Sequence, residues 1–100
     1  MAIEDQIKHY MAENILFSDD GFEYEHDVSF IQEGILDSIG VLELVAFVKD
    51  TFGVDVYDQE VILENFDSVD KLADYIRRKL AVNENQVANE KMPIARSLSA

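Results

Sequence analysis

From Val41 to Phe52 the apolar residues repeat at helical spacing, and with Ile39 they occupy two opposite sides of one helix. This doubling constrains the chain more than any other feature. At about 100° per residue, Val41, Leu44, Val45, Val48 and Phe52 gather on one side as a core face. Ile39, Leu42, Glu43, Ala46 and Asp50 gather on the other. A helix with a single core face normally turns a polar face to water. Here the outer face is apolar in its middle, with acids near its ends and edge. Exposed apolar side chains beside charge suit a protein-binding surface. Isolated surface apolars, or a loop lying over them, would leave the same pattern.

The flanking segments supply the rest of a small helical bundle. Residues 2–16 read as a first helix, with Ile3, Ile7, Tyr10 and Met11 on one stripe, and Asp19-Asp20-Gly21 stops it. A long acidic loop follows, from about Ser18 to Asp37. It holds Phe22, Tyr24, Val28, Phe30, Ile31, Ile35 and Leu36, so it is expected to fold back over the core, because long structureless loops are uncommon in compact domains. The second helix spans Ser38 to Phe52, and Gly53 ends it. A short third helix is expected over Asp58 to Glu64, broken at Asn65-Phe66-Asp67. Asp67 or Ser68 then caps a fourth helix running to about Leu80. Its stripe is Val69, Leu72, Ala73, Ile76 and Leu80. Arg77, Arg78 and Lys79 fall in its expected last turn, where cations complement the helix dipole. From Asn83 the periodicity dissolves, so the division is a folded domain over 1–82 and a disordered tail over 83–100.

Charge and length exclude several classes. The chain of 100 residues has a formal net charge of −13, which repels nucleic acid and anionic lipid and favours basic protein surfaces. Its core is too small for a deep catalytic cleft. No cysteine is present, so there is neither a disulfide framework nor a thiolate metal site. The start lacks a secretion signal and no stretch has the length of a membrane span. A cytoplasmic monomer is expected. His9 and His26 are the only histidines, and no hydrolase elbow, zinc-binding His pair or calcium loop accompanies them. An enzyme and a metal site are both read against.

Ser38 lies where the Gly-bounded loop Glu33-Gly34-Ile35-Leu36-Asp37 enters the apolar helix. A hydroxyl there stands beside unpaired N–H groups that favour a phosphate. Serine is also a favoured N-cap, so capping and a chemical role both fit. The order of elements, with Phe30 in the loop and Asp37-Ser38-Ile39 opening the second helix, resembles the acyl carrier proteins and their peptidyl-carrier relatives. The likeness covers about residues 1–82. It implies an all-α, four-helix carrier with a long first loop and a short third helix.

By that resemblance Ser38 is the attachment residue for phosphopantetheine, taken from coenzyme A, and Asp37 is its acidic neighbour. Ile39, Leu42, Glu43, Ala46 and Asp50 become the recognition face for a phosphopantetheinyl transferase and for cargo-handling enzymes with basic docking patches. The cargo is then an acyl group held as a thioester, in fatty acid or secondary metabolite synthesis. An aminoacyl cargo of D-alanyl or peptidyl type is the alternative. The spacing Gly34-Ile35-Leu36-Asp37-Ser38, one residue longer than in fatty-acid carriers, and the following Ile39-Gly40 resemble specialised stand-alone and aminoacyl members. A more distant alternative is a helical interaction module with no cofactor, in which the second helix docks partners and Ser38 is dispensable.

Overall fold

The computed structural model describes residues 2–89, with side chains through residue 81. Four helices carry it, and no strand occurs among the described residues. The first, α1 (Ile3–Tyr10), has Glu4 and Asp5 in its first turn, where acids complement the helix dipole. It widens without a break into a π-type turn, Met11–Ile15, closed by Leu16 N–H donating to the Met11 carbonyl at 2.9 Å. Ile7 and Met11 are fully buried, and Ile3 and Tyr10 pack at the core margin.

The second helix, α2 (Ser38–Phe52), has the expected limits. Gly53 stops it in the left-handed conformation (φ 68°) and donates to the Lys49 carbonyl at 3.0 Å. Leu44 and Val48 are fully buried, while Val41, Val45 and Phe52 pack against the core from its edge. The Tyr10 ring stacks on Phe47 with centroids 4.3 Å apart. Its hydroxyl donates to the Glu43 carbonyl at 3.3 Å, tying α1 to α2. Burial, and then the Glu43 charge, push the Tyr10 phenol above its ordinary range, so it remains a donor.

The long loop folds over the core as expected. Phe30 is fully buried, Ile35 and Leu36 nearly so, and Phe22 and Val28 pack beside them. The loop is fastened at the α3–α4 junction by Asp67. Its backbone carbonyl accepts from Phe30 N–H at 2.9 Å. Its buried carboxylate accepts from Ile31 N–H at 3.0 Å and from the Ser29 hydroxyl. Nearby, Asp70 N–H donates to the His26 carbonyl at 3.0 Å.

Two expectations are corrected. Asp58 to Glu64 is not one helix: a single 3₁₀ turn, Asp58–Glu60, precedes α3 (Leu63–Phe66), and Phe66 lies inside that helix, buried. The cause is tertiary. Glu60 accepts from Tyr57 N–H (3.1 Å), Tyr75 (2.9 Å) and Lys79 (3.0 Å), so α4 holds the turn. Burial works against its charge, yet these bonds hold the Glu60 carboxyl below its usual range.

The fourth helix also differs. α4 (Val69–Asn89) runs well past Leu80, since no glycine or proline interrupts the chain before Pro93. Arg77, Arg78 and Lys79 are therefore mid-helix and act through specific partners. Arg77 grips Glu4 of α1 with two bonds of 2.8 and 2.7 Å. Arg78 donates to Asn65 at 3.0 Å, and Lys79 pairs with Glu60. Of the two residues expected to cap α4, Ser68 does so, its hydroxyl accepting from Lys71 N–H at 3.0 Å, while Asp67 serves the loop. The disordered tail expected over 83–100 overlaps α4 at 83–89, and its remainder from 90 onward lies outside the described residues.

Candidate functional site

The site is built at the start of α2, and one residue defines it by standing aside. Asp37 is extended (φ −115°, ψ −170°) and is the N-cap. Its carboxylate accepts from Gly40 N–H at 2.9 Å and its carbonyl from Val41 N–H at 3.0 Å. Ser38 is the first helical residue and not the cap. Its hydroxyl is exposed and engages no hydrogen-bond partner among the described residues. The first-turn N–H groups of Ser38 and Ile39 have no intrahelical acceptor by position. The result is a free nucleophilic oxygen at the positive end of a helix, a placement that accepts a phosphate ester.

Gly40 fixes the approach to this turn. A Cβ on it would lie 2.6 Å from Leu36 Cδ2, so only glycine lets Leu36 tuck against the helix start without a shift. The Phe30 carbonyl completes the bend by accepting from the N–H groups of Ile35 (2.8 Å) and Leu36 (3.2 Å). The buried anchor Phe30 thereby sets where Asp37 and Ser38 emerge.

Two grooves meet at this point, with Leu36 in the wall of both. The first, about 330 Å³, has Ser38 itself on its rim and is lined by Ile31, Val41, Ile62, Leu63 and Phe66. The second, about 370 Å³, lies on the other side between the end of α1 and the start of α2. Phe17, Ile39, Asp37 and Glu43 line it.

All five residues assigned to the outer face of α2 are exposed: Ile39, Leu42, Glu43, Ala46 and Asp50. Ile39 is 68% and Leu42 64% accessible, so the long loop does not cover them. Two features of the neighbourhood are not legible in the sequence. Phe17 is 81% exposed, and its proximity to Ile39 arises only from the packing of α1 on α2. Ile31, Leu63 and Ile62 form the apolar bank of the first groove. A glycine in the first turn of a helix, where it costs about 1 kcal/mol relative to alanine, was the one available signal for the Leu36 contact.

Comparison with known proteins finds likenesses of two kinds. The family model for the phosphopantetheine attachment site matches residues 5–76. A D-alanyl carrier protein from Abiotrophia defectiva is 27% identical over 79 residues, which is 79% of this chain and 98% of that protein.

Proposed function

The chain belongs to the phosphopantetheine attachment family, and on that premise we propose that Ser38 bears the arm. Family members are carriers and not catalysts, so the chain is a carrier protein whose cofactor is covalent 4'-phosphopantetheine. Membership sets aside the cofactor-free module. The observation that supports Ser38 is the division of labour with Asp37: the carboxylate caps the helix and the hydroxyl stays free.

In attachment, the Ser38 oxygen forms a new bond to the phosphorus of coenzyme A that carries the pantetheine. The bond to the adenosine bisphosphate part breaks, and the hydroxyl proton leaves to a base on the transferase. When bound, the arm supplies a flexible thiol on which cargo travels as a thioester. The protein's own part is to present the oxygen, keep the helix start rigid, and offer a landing surface.

Ile39, Leu42, Glu43, Ala46 and Asp50 are that surface. Their mixture of exposed apolar and acidic side chains suits partners with an apolar contact ringed by basic residues. These partners are the transferase and the enzymes that load and unload the arm. The cargo is an acyl group, and the aminoacyl class is favoured over a fatty acyl chain. Two points support this: the likeness to a D-alanyl carrier protein, and the Gly34-to-Ser38 spacing. No helix among the described residues is long and apolar enough to cross a membrane. We place the carrier in the cytoplasm as a monomer, with residues 1–82 as the carrier domain.

The test is intact mass after incubation with coenzyme A, magnesium and a broad-specificity phosphopantetheinyl transferase. Wild type should gain one phosphopantetheine and Ser38→Ala none. The modified protein is then offered to a D-alanine-activating ligase and to a fatty-acyl carrier ligase. Loading of D-alanine alone supports the aminoacyl cargo, and loading of a fatty acid alone overturns it.

A further inference from the structure

We propose that Phe17 is a docking anchor for the phosphopantetheinyl transferase, extending the recognition surface from α2 across the second groove to the end of α1. This rests on Ser38 being the attachment residue. Phe17 has φ 51°, the one positive φ at a non-glycine position among the described residues. It ends the first helical segment, with Ser18 N–H closing the turn onto the Ala12 carbonyl at 2.8 Å. This left-handed position is the one that glycine normally fills. A bulky side chain there is unfavourable for the backbone. Burial recovers little of this, because the residue is 81% exposed. A residue that is costly to the fold and unburied within it points to a use outside the fold.

The surroundings define the occupant. Phe17 and Ile39 flank the groove as two apolar banks, while Asp37 and Glu43 line it and Asp19 and Asp20 follow Phe17 in the chain. No basic residue lines the groove. It therefore fits an apolar side chain carried on a positively charged surface. Among the partners of a carrier, the transferase acts before any arm exists and must bring its active site to the Ser38 oxygen itself. Enzymes that handle cargo share the α2 face, but their active sites meet the far end of the arm, so the transferase alone must place its reacting centre at the hydroxyl beside this groove. The groove is bordered by Asp37, one residue from the hydroxyl, so a transferase working at Ser38 from the α1 side meets Phe17.

The experiment measures transfer from coenzyme A by a broad-specificity transferase to the wild type and to Phe17→Gly, Phe17→Leu and Phe17→Lys, with thermal melting of each. Phe17→Gly should melt higher than wild type, because the strain is relieved. Its KM as protein substrate should rise roughly ten-fold with kcat little changed, the size of one lost aromatic anchor. Phe17→Leu should retain most of the wild-type KM, and Phe17→Lys should be worse than Phe17→Gly because it repels a basic partner. A Phe17→Gly protein with unaltered KM overturns the anchor while leaving the Ser38 reading intact. A wild type that gains no mass, with a transferase active on another carrier, overturns both.

Discussion

Removing the Asp67 carboxylate should unfasten the long loop, at a cost that the structure sets. The carboxylate is buried and accepts two bonds, from Ile31 N–H and from the Ser29 hydroxyl, while the backbone bond to Phe30 would survive substitution. A hydrogen bond to a charged group contributes about 1.5–3 kcal/mol. Both donors lie near the surface, where water can partly replace the acceptor, so the low end applies. Asp67→Ala should then lose about 3 kcal/mol. Removing one charge from a chain of net charge −13 returns at most a few tenths of that order. A domain of this size has roughly 5–10 kcal/mol in all, so the loss is large. Asp67→Asn keeps an oxygen for Ile31 N–H, and the Ser29 hydroxyl can turn to accept from the amide. Its cost should be about 1 kcal/mol. Urea unfolding followed by circular dichroism gives both values, read as midpoint shifts at constant slope. Hydrogen exchange should show the Ile31 amide losing protection in Asp67→Ala. Two results would refute the reasoning: Asp67→Ala within about 0.5 kcal/mol of wild type, or Asp67→Asn as costly as Asp67→Ala.

Asp37→Ala should destabilise by about 1 kcal/mol through loss of the cap, with Asp37→Asn nearly neutral; equal melting of Asp37→Ala and wild type would contradict the capping role. The Glu4 carboxyl, held down to about 2 chiefly by its hydrogen bonds from Arg77, makes its contribution fully above its ordinary value of 4.5 and loses it as pH falls towards 2. The stability gap between wild type and Glu4→Gln should therefore be constant near neutrality and close across that acid window, which acid titrations of both proteins would show. Its size should be modest, since the Arg77 side chain is half exposed. Added sodium chloride should raise the melting temperature by screening a strongly acidic chain, and a flat response would count against self-repulsion as a limit on stability.

How much of this was legible in the sequence depended on how far each choice reached along the chain. The limits of α2 were legible because both signals are local: Asp37-Ser38 at one end and Gly53 at the other. The inward folding of the loop was legible from Phe30 and its apolar neighbours. The third helix was not, because Glu60 is held by Tyr75 and Lys79, 15 and 19 residues away, and no local pattern reports that. The end of α4 was not legible either, because amphipathicity fades after Leu80 while no glycine or proline follows before Pro93. At the site itself, Asp37 and Ser38 are both good caps and stand side by side. Only the extended backbone at Asp37 decides between them. The role of Phe17 is not legible, because a positive φ leaves no mark on a sequence when the residue is not glycine.

That small choice between two neighbouring caps has a consequence for how a carrier can work at all. A serine that capped its helix would spend its hydroxyl oxygen on a backbone N–H, and esterification would disturb that bond. A cap is worth about 1 kcal/mol, so the unmodified and modified forms would differ in stability about five-fold in their unfolding equilibrium. Here the Gly40 N–H is satisfied by Asp37, and the Ser38 oxygen owes nothing to the fold. With Ser38 as the proposed attachment residue, the arm would be added or removed without touching a bond that holds the helix start. Leu36 against Gly40, and the Phe30 carbonyl behind Leu36, keep that start in place from the core side. On the proposed attachment at Ser38, this base beneath an uncommitted hydroxyl would offer successive enzymes the same geometry, whichever state the arm is in.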